Sequence, residues 1–255
     1  MTAQPPIIPD SEIFEAPIDS EIFGFAVAEF RPNLEALRAE IPNHSAGSLR
    51  EHLEERRIRL VSARLPASEH AAIAALSGMG FKVVDYAIEA HHPRLQRAKL
   101  PTSHGSLRDA LPDDLPRIEQ IAETSFQFGR YHTDGEFPRH LANLRYRRWV
   151  RNAMHALSAS NAMLVLDAPS GVAGFMHTGI ENGRAELKLG AVDVALEHGL
   201  LGYQLYVNTL AHLQAQGVRE VAARISAANT AVMNLYAGLG FQFGRPEVVF
   251  HWHLS

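Results

Sequence analysis

The chain has 255 residues, 46% of them hydrophobic, and a formal net charge of −4. That length and apolar content supply one large core or two small ones, while the slightly acidic balance excludes a global basic field for nucleic acid. There is no cysteine, which excludes thiol nucleophiles, disulfides and cysteine zinc sites and fits a reducing, cytoplasmic location. The N-terminal stretch MTAQPPIIPDSEIFEAPIDSEIFG is acidic and proline-rich, with no basic n-region or long apolar core, so it is not expected to act as a signal peptide. No apolar run approaches the ~20 residues of a membrane helix.

In chain order, the segment from His52 reads as helix, strand, helix, strand. It ends in GFKVVDYAIEAHH (80–92). HHPRLQRAKLPTSHG (91–105) mixes charge, proline and glycine and reads as a linker. Helices are expected over Leu115 to Ser125 and Pro138 to Leu157, the latter with Leu141, Leu144, Trp149 and Met154 near helical spacing. Strands follow over Ala162 to Asp167, Val172 to Ile180 and, after a Glu-Asn-Gly turn, Ala185 to Val194. A helix over Gly202 to Gln216, a strand over Val218 to Ile225, a helix over Asn229 to Leu239 and a last strand over Glu247 to Leu254 complete the pattern.

The chain repeats itself. HLEERRIRLVSARLPASEHAAIAALSGMGF, from His52, lies without a gap over HLQAQGVREVAARISAANTAVMNLYAGLGF, from His212, at an offset of 160 residues (Phe81 to Phe241). Roughly a third of these positions are identical, including a Val-x-Ala-Arg strand and a Gly-x-Gly-Phe ending. The expected architecture is α/β (α+β), as two tandem lobes over 1–100 and 101–255. Each has a mixed, mostly antiparallel sheet flanked by helices.

NTAVMNLYAGLGF (229–241), LKLGAVDV (187–194) followed by a turn into a helix, and the element order over 106–255 resemble the GCN5-related N-acetyltransferase (GNAT) superfamily. DSEIFGF (19–25), GFKVVDYAIEAHH, SFQFGRYHTD (125–134) and RYRRWVRNA (145–153) make the whole chain look like the dTDP-fucosamine acetyltransferase type, which acts on amino groups of nucleotide-linked deoxysugars. The resemblance implies an enzyme that moves an acetyl or other acyl group from acyl-CoA to a primary amine. Its partners would be small molecules, without nucleic acid or membrane, and a homodimer is left open. The alternatives are an N-acetyltransferase for another small amine and a non-catalytic relative that only binds ligands.

The resemblance places acyl-CoA between the strand ending at Ala191, Val192 and Val194 and the strand near Ala222 to Ser226. Its pyrophosphate would rest on backbone N–H groups of Gly199, Leu201, Gly202 and Tyr203, where helix donors favour an anion, with Asn229 nearby. The sequence departs from the family there: in EHGLLG, Glu197 stands for a basic residue and Leu200 for the first glycine. Opposite Tyr236 the first lobe has Leu76, and opposite EHGLLG it has LRAEIPN. It therefore reads as a degenerate sister lobe.

Acyl transfer requires protonation of the departing thiolate, and Tyr236 is the expected acid, since a phenol pKa near 10 suits a thiol leaving group. The Val192 N–H is a candidate oxyanion donor. His177 and Glu186 are candidates for a general base, with an ordinary packing or surface role expected for each and a water chain sufficing instead. The loop FGRYHTDGEFPRH offers Arg130, Tyr131, His132 and Asp134 to the acceptor, with Asp19 and Glu21 of the first lobe. His251 and His253 share one face of a strand, but without a compact third ligand no metal site is expected.

Overall fold

The structure is a computed structural model and describes residues 11–39, 43–196 and 200–254. The chain divides into two compact units that do not meet at one cut in sequence. The first comprises Met1–Ala87, Thr133–Phe137 and Arg245–Ser255, and the second Ile88–His132 and Pro138–Gly244.

The first unit contains β1 (Glu12–Glu15), α1 (Pro17–Phe23), β2 (Ala26–Arg31), α2 (Leu34–Arg38), α3 (Asn43–Glu55), β3 (Ile58–Pro66), α4 (His70–Met79) and the first half of β4 (Lys82–His92). The second unit takes the rest of β4, then β5 (Ser106–Asp109), α5 (Leu115–Ser125), most of α6 (Arg130–Thr133), α7 (Arg139–His155), β6 (Asn161–Ala168), β7 (Gly171–Glu181) and β8 (Arg184–Val192). After these come α8 (Leu201–Ala215), β9 (Glu220–Ser226), α9 (Thr230–Gly238) and β10 (Gln242–Phe243), and β11 (Glu247–His253) then returns to the first unit.

In the first unit the strand order is β1-β2-β3-β11-β4, with β2 and β3 parallel and β11 antiparallel to both its neighbours. In the second it is β4-β9-β8-β7-β6-β5, with β8 and β9 parallel and β5 to β8 antiparallel. This is the mixed, mostly antiparallel sheet with flanking helices that the sequence predicts.

The repeat is a structural one. Gly80 and Gly240 both take positive φ, 108° and 84°. Phe81 N–H donates to the Leu76 carbonyl at 3.1 Å, and Phe241 N–H to the Tyr236 carbonyl at 3.0 Å. Both helices thus close in the same left-handed, six-to-one cap that glycine permits.

In the first unit Phe30, Leu53, Leu65, Leu76, Phe250 and Trp252 form one core. In the second unit both faces of the sheet are buried, and period-two alternation sorts β6 between them. Leu164 and Leu166 pack towards α8 and α9 with Leu205 and Val221, whereas Met163 and Val165 pack towards α5 and α7 with Ile118 and Val150.

The stretch expected to be a linker is built into the second unit. Leu95 is fully buried, its N–H donates to the Arg219 carbonyl at 2.8 Å, and Gln214 Nε2 donates to the Leu95 and Ala98 carbonyls at 2.6 and 3.1 Å. Its charge and proline hid one apolar anchor. No helix among the described residues is long and apolar enough to cross a membrane.

Candidate functional site

The ladder between β8 and β9 is short. It runs from Arg184↔Glu220 to Leu187↔Ala223; beyond it β8 continues to Val192 and β9 to Ser226 without pairing to each other. The cause lies on the other side of β8. Opposite β7, His177 faces Leu189 and Thr178 faces Leu187, so Lys188 is an extra residue that bulges the strand. The bulge reverses the side-chain alternation: Leu187 packs in the core under α8 and α9, while Leu189 packs in the core under α5 and α7. A bulged strand bends, and here it bends where pairing with β9 stops.

Glycines keep β7 and β8 close around the bulge. A Cβ on Gly174 would lie 2.9 Å from the Ala191 carbonyl oxygen, and one on Gly179 would lie 2.8 Å from Lys188 Nζ. The carbonyl of Val192 accepts from Ser125 Oγ at 2.8 Å. The next residue, Asp193, accepts from the Ala195 N–H at 2.9 Å and pairs with Arg117 of α5, which fixes how the chain leaves β8. Burial works to raise the Asp193 carboxyl, and the Ala195 N–H and the Arg117 guanidinium outweigh it, holding it below the usual carboxylate range.

The chain then enters α8. Glu197 and Gly199 lie outside the described residues, so the expectation for Gly199 falls there. Leu200 is 65% exposed. Among the described residues α8 begins without a side-chain cap and without an acidic residue in its first turn, and a Cβ on Gly202 would meet none of them within 4 Å. Leu201, Gly202 and Tyr203 form the first turn of α8, where backbone amides have no partner within the helix. Val194 is exposed, and Ala191 and Val192 are half-buried on the length of β8 that pairs with β7 but not with β9. Asn229 is the N-cap of α9, its side chain accepting from the Val232 N–H at 3.2 Å.

Tyr236 is 2% exposed. Its ring lies edge-on to Tyr206 of α8 at 5.3 Å and 4.6 Å from Phe241. Burial, then Tyr206 itself, push the Tyr236 phenol well above its ordinary value.

His177 is buried and fully engaged. Nδ1 accepts from Trp149 Nε1 at 3.2 Å, so the proton sits on Nε2, which donates to Asn161 Oδ1 at 2.8 Å. Burial and then the Lys188 charge lower its pKa to about 4. Glu186 is exposed and faces Gly179 rather than His177. The turn holds two residues, Asn182 and Gly183, at φ 52° and 77°, not three, and the Lys188 bulge displaces the register further.

The six residues expected to bind the acceptor divide between the units. In the second unit, Tyr131 is buried beneath the guanidiniums of Arg130 and Arg145, at 4.8 and 5.2 Å from its ring centroid. His132 Nε2 bonds Asn143 Oδ1 at 2.8 Å, and its ring stacks on Tyr146, which stacks on Phe126. In the first unit, Asp19 is buried on α1, Glu21 is exposed on it, and Asp134 is buried against His251 and His253.

Comparison with solved structures gives the fold of the GCN5-related N-acetyltransferases. A GCN5-related N-acetyltransferase from Sphaerobacter thermophilus superposes with a TM-score of 0.65 at 13% identity, over 95% of this chain and 76% of that one. One from Kribbella flavida gives 0.59 at 10% identity, over 90% and 82%. A tandem GNAT protein of the clavulanic acid biosynthesis pathway gives 0.56 at 16% identity, over 89% and 75%. The fold is thus a tandem GNAT fold. No family model matches the sequence. Among curated proteins, the spore coat polysaccharide biosynthesis protein SpsD of Bacillus subtilis is 26% identical over 140 residues, 55% of this chain; the match spans about half of that relative's length, 48%.

Proposed function

We propose that the chain transfers an acyl group from acyl-CoA to a primary amine, and that the amine belongs to a nucleotide-linked aminodeoxysugar. The divergence of β8 and β9 beyond Leu187 and Ala223 is the observation that carries the reading. It leaves 188–192 without a ladder partner on the β9 side, the form of edge an extended chain such as pantetheine pairs with. The start of α8 at Leu201, Gly202 and Tyr203 suits the pyrophosphate, with no side-chain cap among the described residues and none of them within 4 Å of a Cβ at Gly202. The sugar assignment draws support from the likeness to SpsD, whose name places that protein in polysaccharide biosynthesis.

In this reading acyl-CoA, as co-substrate, supplies the activated acyl group. The Val192 region polarises the thioester carbonyl, and Tyr236 delivers a proton to the departing sulfur. Burial makes the Tyr236 phenol a weak acid, but the same burial raises the basicity of a thiolate released beside it, so the two remain matched. Tyr206 orients the phenol. His177 has no free nitrogen for base duty, so water takes the amine's proton.

The test uses the full chain: calorimetric titration with acetyl-CoA, followed by thiol release with a dTDP-4-amino-4,6-dideoxysugar and, separately, a polyamine. Saturable acetyl-CoA binding and release only with the sugar are expected. No binding at millimolar acetyl-CoA would refute the acyltransferase reading, and release with the polyamine alone would refute the sugar.

A further inference from the structure

In the first unit, β11 places His251 and His253 two residues apart on one face, because strand side chains alternate. Asp134, from the Thr133–Phe137 segment of the same unit, reaches both. Its Oδ2 lies 2.6 Å from His251 Nδ1 and 2.7 Å from His253 Nε2. The three ligand atoms lie within 4.8 Å of one another. The third ligand that the sequence did not disclose is therefore present. We propose that Asp134, His251 and His253 form a site for one divalent metal ion of the zinc class.

Four observations support it. Two imidazoles and one carboxylate are the donor set that borderline divalent ions take, and three protein ligands leave a position for water or an external ligand. The carboxylate is held by a further bond, with the Glu136 N–H donating to Asp134 Oδ1 at 3.0 Å, which presents Oδ2 to the histidines. The carboxylate is buried, and the ionic partners the described residues give it are the two histidines alone. The cluster is graded in access: the side chains of His251 and Asp134 are 0% and 5% exposed and that of His253 is 27%, which opens the fourth position on the His253 side.

Donors around a tetrahedral ion at about 2.0–2.1 Å stand roughly 3.3 Å apart, so each N···O separation must open by about 0.6–0.7 Å and the two imidazole nitrogens, within 4.8 Å of each other, must come to the same spacing by side-chain rotation. The two imidazole protons that now point at Oδ2 move to the opposite ring nitrogens as the ion takes their place. No net proton release is needed when both rings are neutral.

The full chain, stripped with a chelator and returned to buffer, is titrated with Zn²⁺ by calorimetry and with Co²⁺ by visible absorption. Two variants keep the experiment decisive. His253→Gln retains a hydrogen-bond donor towards Asp134 but supplies no imidazole, and Asp134→Asn keeps the side-chain size while removing the charge. The expected result is one Zn²⁺ per chain, Co²⁺ bands of four- or five-coordination, and affinity weakened by roughly tenfold or more in each variant whose circular dichroism is unchanged. Zn²⁺ should also raise the Tm of the wild type by more than that of His253→Gln. Because the chain has fourteen histidines, uptake that persists unchanged in both variants would overturn the proposal, as would no stoichiometric uptake by the wild type.

Discussion

Acidification tests the buried network around His177. Both ring nitrogens are committed, Nδ1 to an indole that can only donate and Nε2–H to Asn161 Oδ1, which also receives Lys188 Nζ at 3.0 Å. Protonating Nδ1 would set two N–H groups against each other beside an ammonium. The folded-state pKa is accordingly lowered to about 4 from 6.5. Between those values the unfolded chain takes up a proton that the folded chain refuses. The stabilisation is therefore complete above pH 6.5 and is lost as pH falls towards 4. At about 1.4 kcal/mol per pKa unit, the loss approaches about 3 kcal/mol, of which about 2 kcal/mol is gone by pH 5. His177→Gln keeps an acceptor and a donor and cannot titrate. Urea unfolding of both proteins at pH 7.5 and pH 5 should show the wild type losing about 2 kcal/mol more than the variant. Equal losses in the two proteins would refute the argument. So would an NMR titration of the His177 ring with a midpoint near 6.5.

Two further substitutions probe the cleft. Tyr236→Phe removes one oxygen from a buried ring beside Tyr206. It should cost about 1 kcal/mol of stability and lower turnover on the order of 10²-fold while acetyl-CoA affinity, read by calorimetry, stays near wild type. Wild-type turnover where chemistry limits the rate would assign Tyr236 to packing alone. Gly174→Ala drives a methyl against the Ala191 carbonyl oxygen and Val192 Cγ1, at 2.9 and 3.0 Å, at the end of β8 beyond its pairing with β9. It should lower stability by roughly 1–3 kcal/mol and weaken acetyl-CoA binding, and an unchanged Tm with unchanged affinity would show that the close approach is unimportant.

Much of the second unit was legible in the sequence because its signals are local. Asn229 and Gly240 bound α9 by cap chemistry, and Asn182-Gly183 marks a hairpin whose left-handed residues are both φ-positive. The offset between Phe81 and Phe241 disclosed the repeat because both copies close their helix in the same way. The Lys188 bulge was not legible: ELKLGAV reads as simple alternation, and only pairing with β7 shows that Leu187 and Leu189 face opposite sides. Nor was the fate of Tyr131, which reads as a loop residue and is buried under two guanidiniums. Asp134 meets His251 across more than a hundred residues of chain, a distance over which no periodicity carries information.

The position of β11 also sets an order of events during folding. It lies between β3 and β4 in the first unit, and it pairs Leu60 with His253 and Pro66 with Glu247, partners about 180–190 residues apart. A ribosome therefore releases β1 to β4 long before the strand that joins them exists. During that interval β3 and β4 expose edges able to pair with foreign chains, and loop-closure entropy makes their proper partner slow to arrive. A gene cut near residue 100 would make the interval permanent. The late arrival of β11 is thus written into the topology, at a place where each strand taken singly looks ordinary.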